Sequence, residues 1–309
     1  MQTIRSPRAG LWFVAAAILS ALLGPGRDDA RLQPRQLTAH TVLNTFPSWA
    51  PDNRTLAFAS ARGTMFHGVT IWTTAADTDT AMQLSYGDWV DEYPKFRPDG
   101  KSMLFMSNRT GRFNLYLRDL GMDSTWNVTD PRYMNMFGVW YKDGKRFLYV
   151  SVRDSVAGLY EHVVATGAER LIYLSRSPLF YPCLSPDESR IYFSSGESGV
   201  TYHLYWVPES GKGRPVVWND VPGWKMAPVF TPDGRHVLFA LSDPKGVFTL
   251  WVAPMDSGRA ARQIETGLPS GYYPAFSPDG KYLAFCSKDE AQVEDIWIAP
   301  WRQEETAGP

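Results

Sequence analysis

The sequence predicts an all-β protein folded as a six-bladed β-propeller, and three observations support this prediction. A nine-residue motif recurs, with an aromatic residue and proline at its start and Pro-Asp-Gly near its end; its clearest copy is Tyr273–Lys281. The motif aspartates are Asp52, Asp99, Asp143, Asp187, Asp233 and Asp279, so the copies are spaced by 44 to 47 residues. Residues that alternate between the two faces of a strand follow each copy, and no segment has the pattern of a long helix. Self-similarity at this period is typical of a propeller with one blade per repeat.

Each repeat encodes the strands of one blade in a fixed order. The Pro-Asp-Gly turn joins the first two strands, because proline presets φ, aspartate accepts backbone hydrogen bonds and glycine takes the left-handed position. Residues before the turn form the innermost strand, and residues after it form a second strand, as in 101–107 and 281–287. A third strand then carries an apolar–aromatic pair such as Ile71-Trp72, and a short outer strand such as Met82–Ser85 completes the blade.

The last repeat lacks an outer strand of its own. After Ile296-Trp297 the chain runs through Ile298-Ala299-Pro300 into a polar tail, residues 301–309. Arg35–Thr38, which precedes the first repeat, has the pattern of an outer strand. If it pairs with the last blade, the ring is closed and no sheet edge stays exposed there. We therefore expect one closed propeller over residues 35–300.

The N-terminal residues have the pattern of an export signal. Arg5 and Arg8 form a charged start, and Leu11–Leu23 is an apolar stretch that is short for a membrane span. No small-x-small cleavage site follows, so residues 1–26 are either a signal peptide or a signal anchor, with residues 27–34 as a linker. The absence of a cysteine nearby excludes a lipoprotein anchor. We expect a periplasmic or secreted protein that contacts a membrane only through this segment.

The net charge bears on the choice of partner, and the positions of the two cysteines bear on whether a disulfide can form. The net charge of -1 and the interspersed charges give no electrostatic footprint for nucleic acid. Cys183 and Cys286 fall in the predicted blades four and six, which do not touch in a six-bladed ring. Their Cα atoms should lie beyond the ~7 Å over which a disulfide can form, so we expect two buried thiols. We also expect a monomer.

The repeats resemble those of a known family. The Ser-Pro-Asp-Gly-Lys turn at 277–281, the Leu-Ala-Phe-x-Ser strand at 283–287 and the Ile-Trp or Leu-Tyr strands are similar to the WD40-like PD40 repeat of the TolB family of periplasmic propellers. The resemblance covers nearly all of residues 35–300 and implies the fold and a binding role. It does not imply membership of the Tol system, because the α/β domain that precedes the propeller in TolB is not recognised here. Similar repeats also occur in oligogalacturonate-lyase-like enzymes.

The sequence contains no motif typical of catalysis. Gly-x-Ser-x-Gly does not occur, and the repeats leave no room for a hydrolase domain. The five histidines are His40, His67, His162, His203 and His236, and no two of them have metal-ligand spacing. A partial cluster of His40, His67 and His203 is the nearest approach to a metal site. We therefore predict no catalytic residue, no metal and no cofactor.

The remaining candidate for function is the mouth of the ring. In a propeller, the loops that lead from the outer strand of one blade to the inner strand of the next line one end of the channel. The aromatic residues before the motif proline, Phe46, Tyr93, Tyr181 and Tyr273, recur in most repeats and are interpreted as structural. Aromatic and charged residues without a repeat role are typical of an interface, although they could instead cap the blades. The candidates are Trp89, Asp91, Glu92, Arg132, Tyr133, Arg176, Trp224, Lys225 and Tyr272.

These residues support two functional hypotheses. In the first, the chain is an exported, non-catalytic scaffold that docks a loop or domain of an envelope protein. In the second, it binds or degrades a polysaccharide, with aromatic residues stacking on sugar rings and carboxyl groups acting as acid and base. Converging carboxylates of raised pKa in the channel would favour the second hypothesis, and a broad surface with an aromatic rim would favour the first.

Overall fold

The computed structural model describes residues 32–39, 42–62, 68–78, 80–196, 201–219, 221–288 and 293–302. These residues form six antiparallel four-stranded sheets, each of which is one blade. Within five blades, strands that are consecutive in the chain are neighbours in the sheet. The predicted all-β six-bladed propeller is therefore confirmed.

The strand bounds follow the repeats closely. The first strand, β1 (Arg35–Gln36), precedes the first repeat. Blade one contains β2 (Asn44–Trp49), β3 (Thr55–Ser60), β4 (Thr70–Ala75) and β5 (Ala81–Gln83). Blade two contains β6 (Asp91–Phe96), β7 (Ser102–Ser107), β8 (Asn114–Asp119) and β9 (Ser124–Asn127). Blade three contains β10 (Met134–Trp140), β11 (Arg146–Arg153), β12 (Val156–Val163) and β13 (Glu169–Ser175).

The second half of the ring repeats this order. Blade four contains β14 (Leu179–Leu184), β15 (Arg190–Ser195), β16 (His203–Pro208) and β17 (Val216–Asn219). Blade five contains β18 (Lys225–Phe230), β19 (His236–Ser242), β20 (Phe248–Pro254) and β21 (Arg262–Gln263), with a short 3-10 helix, Gly258–Ala260, before its last strand. Blade six contains β22 (Tyr272–Phe276), β23 (Tyr282–Lys288) and β24 (Glu294–Pro300).

The N-terminal strand closes the ring, as predicted. β1 pairs with β24 in the register Arg35↔Ile298 and Gln36↔Trp297, so it is the outer strand of blade six. The carboxylate of Asp295, which is fully buried, accepts hydrogen bonds from Gln36 (2.9 Å), Thr38 (2.8 Å) and Asn44 (2.8 Å). Blades six and one are therefore joined by polar side chains as well as by strand pairing.

The Pro-Asp-Gly turns have the geometry that the sequence predicts. In blade six the carboxylate of Asp279 accepts hydrogen bonds from the hydroxyl of Ser277 (2.7 Å) and the backbone N–H of Lys281 (3.1 Å). Gly280 has a φ of 72°, in the left-handed region that favours glycine. These turns lie at one end of the ring, called here the turn face, and the inner strands begin at the other end, the channel mouth.

The core lies between the blades and is built from the second strand of each one. The same position of these strands carries an aromatic residue that is at most 1% exposed. The six residues are Phe58, Phe105, Tyr149, Phe193, Phe239 and Phe285. Burial of one such side chain stabilises the fold by on the order of 2–3 kcal/mol. The ring is therefore held together mainly by apolar contact between adjacent sheets.

A ring of aromatic residues closes the central channel. It consists of Phe46, Tyr93, Phe137, Tyr181 and Tyr273 and is called here the aromatic plug. Each plug residue touches the next, with ring centroids between 4.3 and 5.7 Å apart, and the last contacts the first. All five have φ values of 50–57°, at a point where the register of the inner strand shifts. The four aromatic residues before the motif proline therefore pack into one ring, and Phe137 takes the same position in blade three.

Both ends of the described propeller leave the ring at the turn face. Leu32 and Trp301 are buried in one apolar cluster, and the backbone N–H of Trp301 donates to the carbonyl of Lys281, beside the last Pro-Asp-Gly turn. The signal segment 1–26 lies outside the described residues, as do residues 27–31 and 303–309. Among the residues that are described, no helix is long and apolar enough to span a membrane.

The two cysteines do not form a disulfide, as predicted. Cys183 lies on β14 of blade four, Cys286 lies on β23 of blade six, and both thiols are free. Cys286 is fully buried, as expected, but Cys183 is only half-buried because it lies on an innermost strand. The expectation of two buried thiols is therefore confirmed for Cys286; the residue Cys183 is half-buried, although its thiol is buried enough for its pKa to be raised.

Candidate functional site

The structure corrects the position of four candidate residues. Asp91, Glu92, Lys225 and Tyr272 were expected in loops, but they lie in the innermost strands β6, β18 and β22. These strands begin earlier than the hydrophobic pattern suggests, because their first residues pair with the second strand of the blade before the register shift. Trp89, Arg132, Tyr133, Arg176 and Trp224 lie between strands, as predicted.

Asp91 forms a buried ion pair within blade two. Its side chain is 0% exposed, and both carboxylate oxygens accept hydrogen bonds from Arg109, at 2.9 and 3.0 Å. The indole N–H of Trp89 donates to the same carboxylate at 3.2 Å, and the Arg109 guanidinium lies 4.9 Å from the Trp89 ring. Asp91 therefore does not present a charge to an exposed rim, and the half-buried Trp89 packs over the ion pair.

Lys225 is also buried, and its partners belong to the loop that precedes it. Its side chain is 1% exposed, and its ammonium donates to the backbone carbonyls of Val221 and Gly223, which hold the loop before β18. Asp91 and Lys225 stand two residues before the plug position of their blades, where Asn44 and Asn135 stand in blades one and three. This repeat position was missed because its residue type changes from blade to blade. We do not carry Asp91 or Lys225 into the functional proposal.

Three candidate residues lie in the connections on either side of blade three. Arg132 is exposed and pairs with Asp130 (Nε to Oδ2 2.9 Å), and the hydrogen bonds from Arg132 lower the pKa of Asp130 to about 2. The half-buried ring of Tyr133 lies 5.5 Å from the guanidinium of Arg132 and 4.8 Å from that of Arg153. Arg176 is exposed on the next connection, and within the described residues no ion pair holds it. These residues are accessible, but they do not enclose a cavity.

Trp224 separates two cavities at the channel mouth. The smaller, of about 160 Å³, has Phe180, Tyr202 and Met226 in its wall, and the larger, of about 440 Å³, reaches Asp243 and Phe248. Trp224 is 42% exposed and contacts the ring of Tyr202 edge-on, with centroids 5.2 Å apart. Of the candidate residues, Trp224 alone combines substantial exposure with a place in the walls of both cavities.

Glu92 and Tyr272 lie on the mouth side of the plug, where Glu92 is half-buried and Tyr272 is buried in an apolar cluster. They occupy the position just before the plug residue, where the other blades have Thr45, Met136, Phe180 and Met226. At this level they meet Glu294, the first residue of β24, which the sequence analysis did not identify. Glu294 lies outside the repeat motif, so no sequence signal marked it. Glu92, Glu294, Tyr272 and the hydroxyls of the plug residues Tyr181 and Tyr273 are called here the carboxylate cluster.

Burial of the carboxylate cluster favours the protonated, neutral forms of its carboxyl and hydroxyl groups. Burial, and then the charge of Glu294, raise the pKa of Glu92 to about 7. Burial also raises the pKa of Glu294, an effect that the hydroxyls of Thr45 and Tyr272 partly offset. The hydroxyls of Tyr181 and Tyr273 hydrogen-bond to each other at 3.2 Å across the channel, and burial raises the pKa of both. One proton is therefore readily exchanged here near neutral pH.

A second polar pair lies on the other side of the plug. Lys95 is half-buried in β6, with its ammonium 4.6 Å from the ring of Tyr93, and burial lowers its pKa to about 8. Burial raises the pKa of the Cys183 thiol, on β14, to about 12, although the charge of Lys95 opposes this shift. The plug thus separates the acidic side chains of Glu92 and Glu294 from a basic side chain towards the turn face.

Metal-ligating residues do not converge in the part of the chain that the structure describes. There, no group of three or more His, Cys, Asp and Glu side chains could hold a metal ion. His162 and His236 lie on β12 and β19, and His162 stacks on Phe147 with centroids 4.6 Å apart. His40 and His67 lie outside the described residues, so the expected partial cluster with His203 is not tested.

Comparison with known proteins identifies curated relatives and solved structures of similar fold. The Tol-Pal system protein TolB of Helicobacter pylori (strain ATCC 700392 / 26695) is 23% identical over 246 residues, which are 76% of this chain and 58% of that protein. A solved structure of a putative TolB from Agrobacterium tumefaciens has a TM-score of 0.65 at 18% identity and covers 88% of this chain and 99% of that one. An oligogalacturonate lyase from Vibrio parahaemolyticus has a TM-score of 0.61 at 14% identity and covers 89% and 98%.

These likenesses establish the architecture and leave both binding and catalysis compatible with it. No protein-family model matches the chain. The chain spans 20% to 58% of the length of the curated relatives, so their activities and partners do not transfer directly. At identities below 20% the two solved structures show the fold alone, and one of them is an enzyme. Function must therefore be argued from the channel mouth.

Proposed function

Because this chain is a TolB-like six-bladed β-propeller, we propose that it is a non-catalytic binding protein of the bacterial cell envelope. A segment of a partner protein binds at its channel mouth. The proposed envelope location is supported by the similarity to TolB and by the export signal expected at residues 1–26. Nucleic acid is not expected as a partner, because the net charge is -1.

The observation that carries this proposal is the position of Trp224 between two cavities. A large aromatic side chain that is partly exposed, flanked by concave apolar surface, is typical of a binding hot spot. The wall formed by Phe180, Tyr202 and Met226 offers apolar contact on one side, and Asp243 offers a hydrogen-bond acceptor on the other. A segment that fills both cavities would bury Trp224 completely. Arg132 and Arg176 would then meet the outer part of the partner.

The test is affinity capture of envelope proteins on the full-length chain and on two matched variants. Trp224→Ala removes the proposed anchor, whereas Trp126→Ala removes a tryptophan of equal exposure, 43%, from outer strand β9. We expect one partner to be enriched by the wild type and by Trp126→Ala. Its recovery should fall at least ~10-fold with Trp224→Ala, the loss of about 1.4 kcal/mol of binding free energy. Equal recovery by all three proteins would contradict the proposal.

Polysaccharide binding or cleavage is a second candidate function, and the carboxylate cluster favours it. Two carboxyl groups with raised pKa values in one channel are an arrangement that acid–base chemistry can use. The test is incubation with defined oligogalacturonides and other acidic and neutral glycans, followed by assay of new reducing ends and of absorbance from unsaturated products. Cleavage by the wild type that is lost in both Glu92→Gln and Glu294→Gln would establish an enzyme. No cleavage of any glycan would leave the binding function.

A further inference from the structure

We propose that the smaller of the two cavities at the channel mouth is a subsite for a phenol ring, and that a tyrosine side chain of the bound partner segment supplies this ring. The source of the ring rests on the proposed function, but the subsite itself can be tested without the partner. The cavity lies between blades four and five, and Trp224 separates it from the larger cavity. Its wall contains the aromatic residues Phe180, Tyr181, Tyr202 and Trp224.

The volume of the cavity matches one six-membered ring. The cavity measures about 160 Å³, and an apolar cavity of about 150 Å³ in another protein binds benzene. Sites that take whole small molecules are larger, at about 300–1,000 Å³. The smaller cavity therefore has room for one ring, such as a side chain inserts, and the adjoining cavity of about 440 Å³ has room for neighbouring residues of the same segment.

The aromatic wall is arranged to receive another ring. The ring of Tyr202 contacts that of Phe180 edge-on, with centroids 5.5 Å apart and an angle of 80° between the planes. It contacts the ring of Trp224 in the same way, at 5.2 Å and 83°. Aromatic rings attract one another in edge-to-face and offset arrangements at such distances. The thioether of Met226, also in the wall, is a favourable neighbour for an aromatic ring as well.

The wall also contains a buried hydroxyl without a hydrogen-bond partner. Ser194 is 1% exposed, and its Oγ has no such partner among the described residues. Tyr192, two residues earlier on β15, packs in the apolar cluster that joins blades four and five. Side chains alternate along a strand, so Ser194 also faces blade five, where Trp224 and Met226 lie. Buried polar atoms are nearly always hydrogen-bonded, and a ligand in this cavity would satisfy the Oγ.

Ser194 differs from the residues at the same position of the other blades. Each of these residues follows the buried aromatic residue of the second strand, and they are Ala59, Met106, Val150, Ala240 and Cys286. Four of them are apolar, and the thiol of Cys286 lies 3.8 Å from the hydroxyl of Thr45. A serine here adds a polar group that the packing of blades does not need. The packing of the ring therefore does not account for the Ser194 hydroxyl.

The chemistry of the wall selects a phenol over other groups of similar size. The ring of a phenylalanine would leave the Oγ of Ser194 unsatisfied, whereas a phenolic hydroxyl can donate to it or accept from it. A sugar ring carries several hydroxyls, and Ser194 has the one buried, unpartnered polar atom of the described wall. A cationic side chain would find no carboxylate in that wall. An anionic one would find the ammonium of Lys225 already bonded to the carbonyls of Val221 and Gly223.

The experiment compares three probes by ligand-observed NMR titration of the full-length protein. The probes are p-cresol, which has the structure of the tyrosine side chain, toluene, which has that of phenylalanine, and methyl β-glucopyranoside. We expect p-cresol to bind with a dissociation constant on the order of 1 mM. It should bind at least about 5-fold more tightly than toluene, because only p-cresol forms a hydrogen bond with Ser194. The glucoside should not bind.

Two serine variants form a matched pair for this experiment. Ser102, at the turn-face end of β7, is 5% exposed and also has a buried Oγ without a hydrogen-bond partner among the described residues, but it does not line the cavity. Ser194→Ala should remove the preference for p-cresol over toluene, whereas Ser102→Ala should keep it. Trp224→Ala should weaken the binding of both probes, because it removes part of the wall. Neither serine substitution should lower the melting temperature, since each removes an unsatisfied hydroxyl.

Four results would overturn the phenol subsite. The first is that the wild type does not bind p-cresol, and the second is that it binds p-cresol and toluene equally. The third is an unchanged preference for p-cresol in Ser194→Ala. The fourth is binding of the glucoside but not of p-cresol, which would assign the cavity to a sugar ring.

The subsite and the proposed function can fail separately. If p-cresol binds as expected but capture of a partner protein does not depend on Trp224, the proposed function is wrong and the subsite stands. If capture does depend on Trp224, p-cresol at about ten times its dissociation constant should lower recovery of the captured protein by competition, and more so than toluene at the same concentration. Unchanged recovery in the presence of p-cresol would exclude the tyrosine side chain.

Discussion

Asp91 and Glu92 are adjacent residues that meet opposite environments. The side chain of Asp91 is buried in blade two, where it forms an ion pair with Arg109. The half-buried Glu92 has no such partner among the described ion pairs, and burial, followed by the charge of Glu294, raises its pKa. The alternation of side chains along a strand separates them, as the sequence analysis expected for adjacent carboxylates. The same residue class thus serves stability at one position and carries a candidate site at the next.

The substitution Glu92→Gln should raise stability at neutral and alkaline pH. The pKa of Glu92 in the folded protein is raised from 4.5 to about 7, so the folded state binds more protons than the unfolded state between these values. Stability should therefore fall as the pH rises from about 4.5 through about 7, by on the order of 1–3 kcal/mol, and the substitution should remove this loss. Urea unfolding of both proteins at about pH 4.5 and about pH 8 measures the difference.

The control for this prediction is the exposed Glu265→Gln, which should behave like the wild type at both pH values. A parallel pH dependence of wild type and Glu92→Gln would show that the Glu92 carboxyl group ionises in the folded state as easily as in the unfolded chain. Removal of Glu294 should have an effect of the same sign, because its pKa is also raised.

Trp89→Ala and Trp224→Ala should differ in their effect on stability. Trp89 covers the buried Asp91–Arg109 ion pair and donates a hydrogen bond to it, so its loss exposes that pair and should cost about 1–3 kcal/mol. Trp224 is 42% exposed beside two cavities, and its loss should cost under about 1 kcal/mol. The unfolding midpoint in urea compares the two variants. A larger loss from Trp224→Ala would identify Trp224 as part of the core and remove the anchor from the proposed function.

Strand β1 is short, yet it completes blade six. It pairs with β24 over Arg35 and Gln36, and the residues around it bury Leu32 and Leu37, which are 2% and 5% exposed. Gln36 of this strand and the nearby Thr38 also donate hydrogen bonds to the buried carboxylate of Asp295. Without this strand, the edge of β24 would be unpaired and the Asp295 carboxylate would lose two of its partners.

Deletion of residues 31–40 should therefore destabilise the whole ring. Burial of two leucines alone contributes about 3–6 kcal/mol, before the hydrogen bonds to Asp295 are considered. We expect a sharp drop in the unfolding midpoint, or an insoluble product, in thermal and urea unfolding. Arg35→Ala is the control, because it preserves the pairing and changes an exposed side chain. An unchanged midpoint after the deletion would contradict closure by this strand.

The elements of the fold could be predicted from the sequence where a repeat position keeps its residue type, and were missed where the residue type changes from blade to blade. The period of the Pro-Asp-Gly turns predicted the number of blades, the strand order and the closing strand, because each depends on positions that keep their chemistry. Asn44, Asp91, Asn135 and Lys225 occupy the same repeat position in four blades. This equivalence was not recognised, because the side chain at the position is an amide, a carboxylate or an ammonium. Glu294 escaped notice because its proximity to Glu92 arises only when blades two and six face the same channel.

The arrangement of the blades around the ring keeps the two thiols apart. We expect no disulfide in the mass of the protein under non-reducing conditions. In the folded state Ellman's reagent should modify Cys183 slowly, because burial raises its pKa to about 12, and should modify Cys286 only after unfolding. Cys183→Ser is the control, and in concentrated guanidinium chloride both thiols of the wild type should react. Rapid reaction of two thiols in the folded protein would contradict the ring geometry.

The exit of both chain ends at the turn face has a consequence for orientation. Leu32 and Trp301 share one apolar cluster beside the last Pro-Asp-Gly turn, whereas Trp224 and Glu92 open at the opposite end of the channel. The first and last described residues of the propeller therefore lie at the end of the ring opposite the mouth. A segment that binds at the mouth would leave both of these positions accessible.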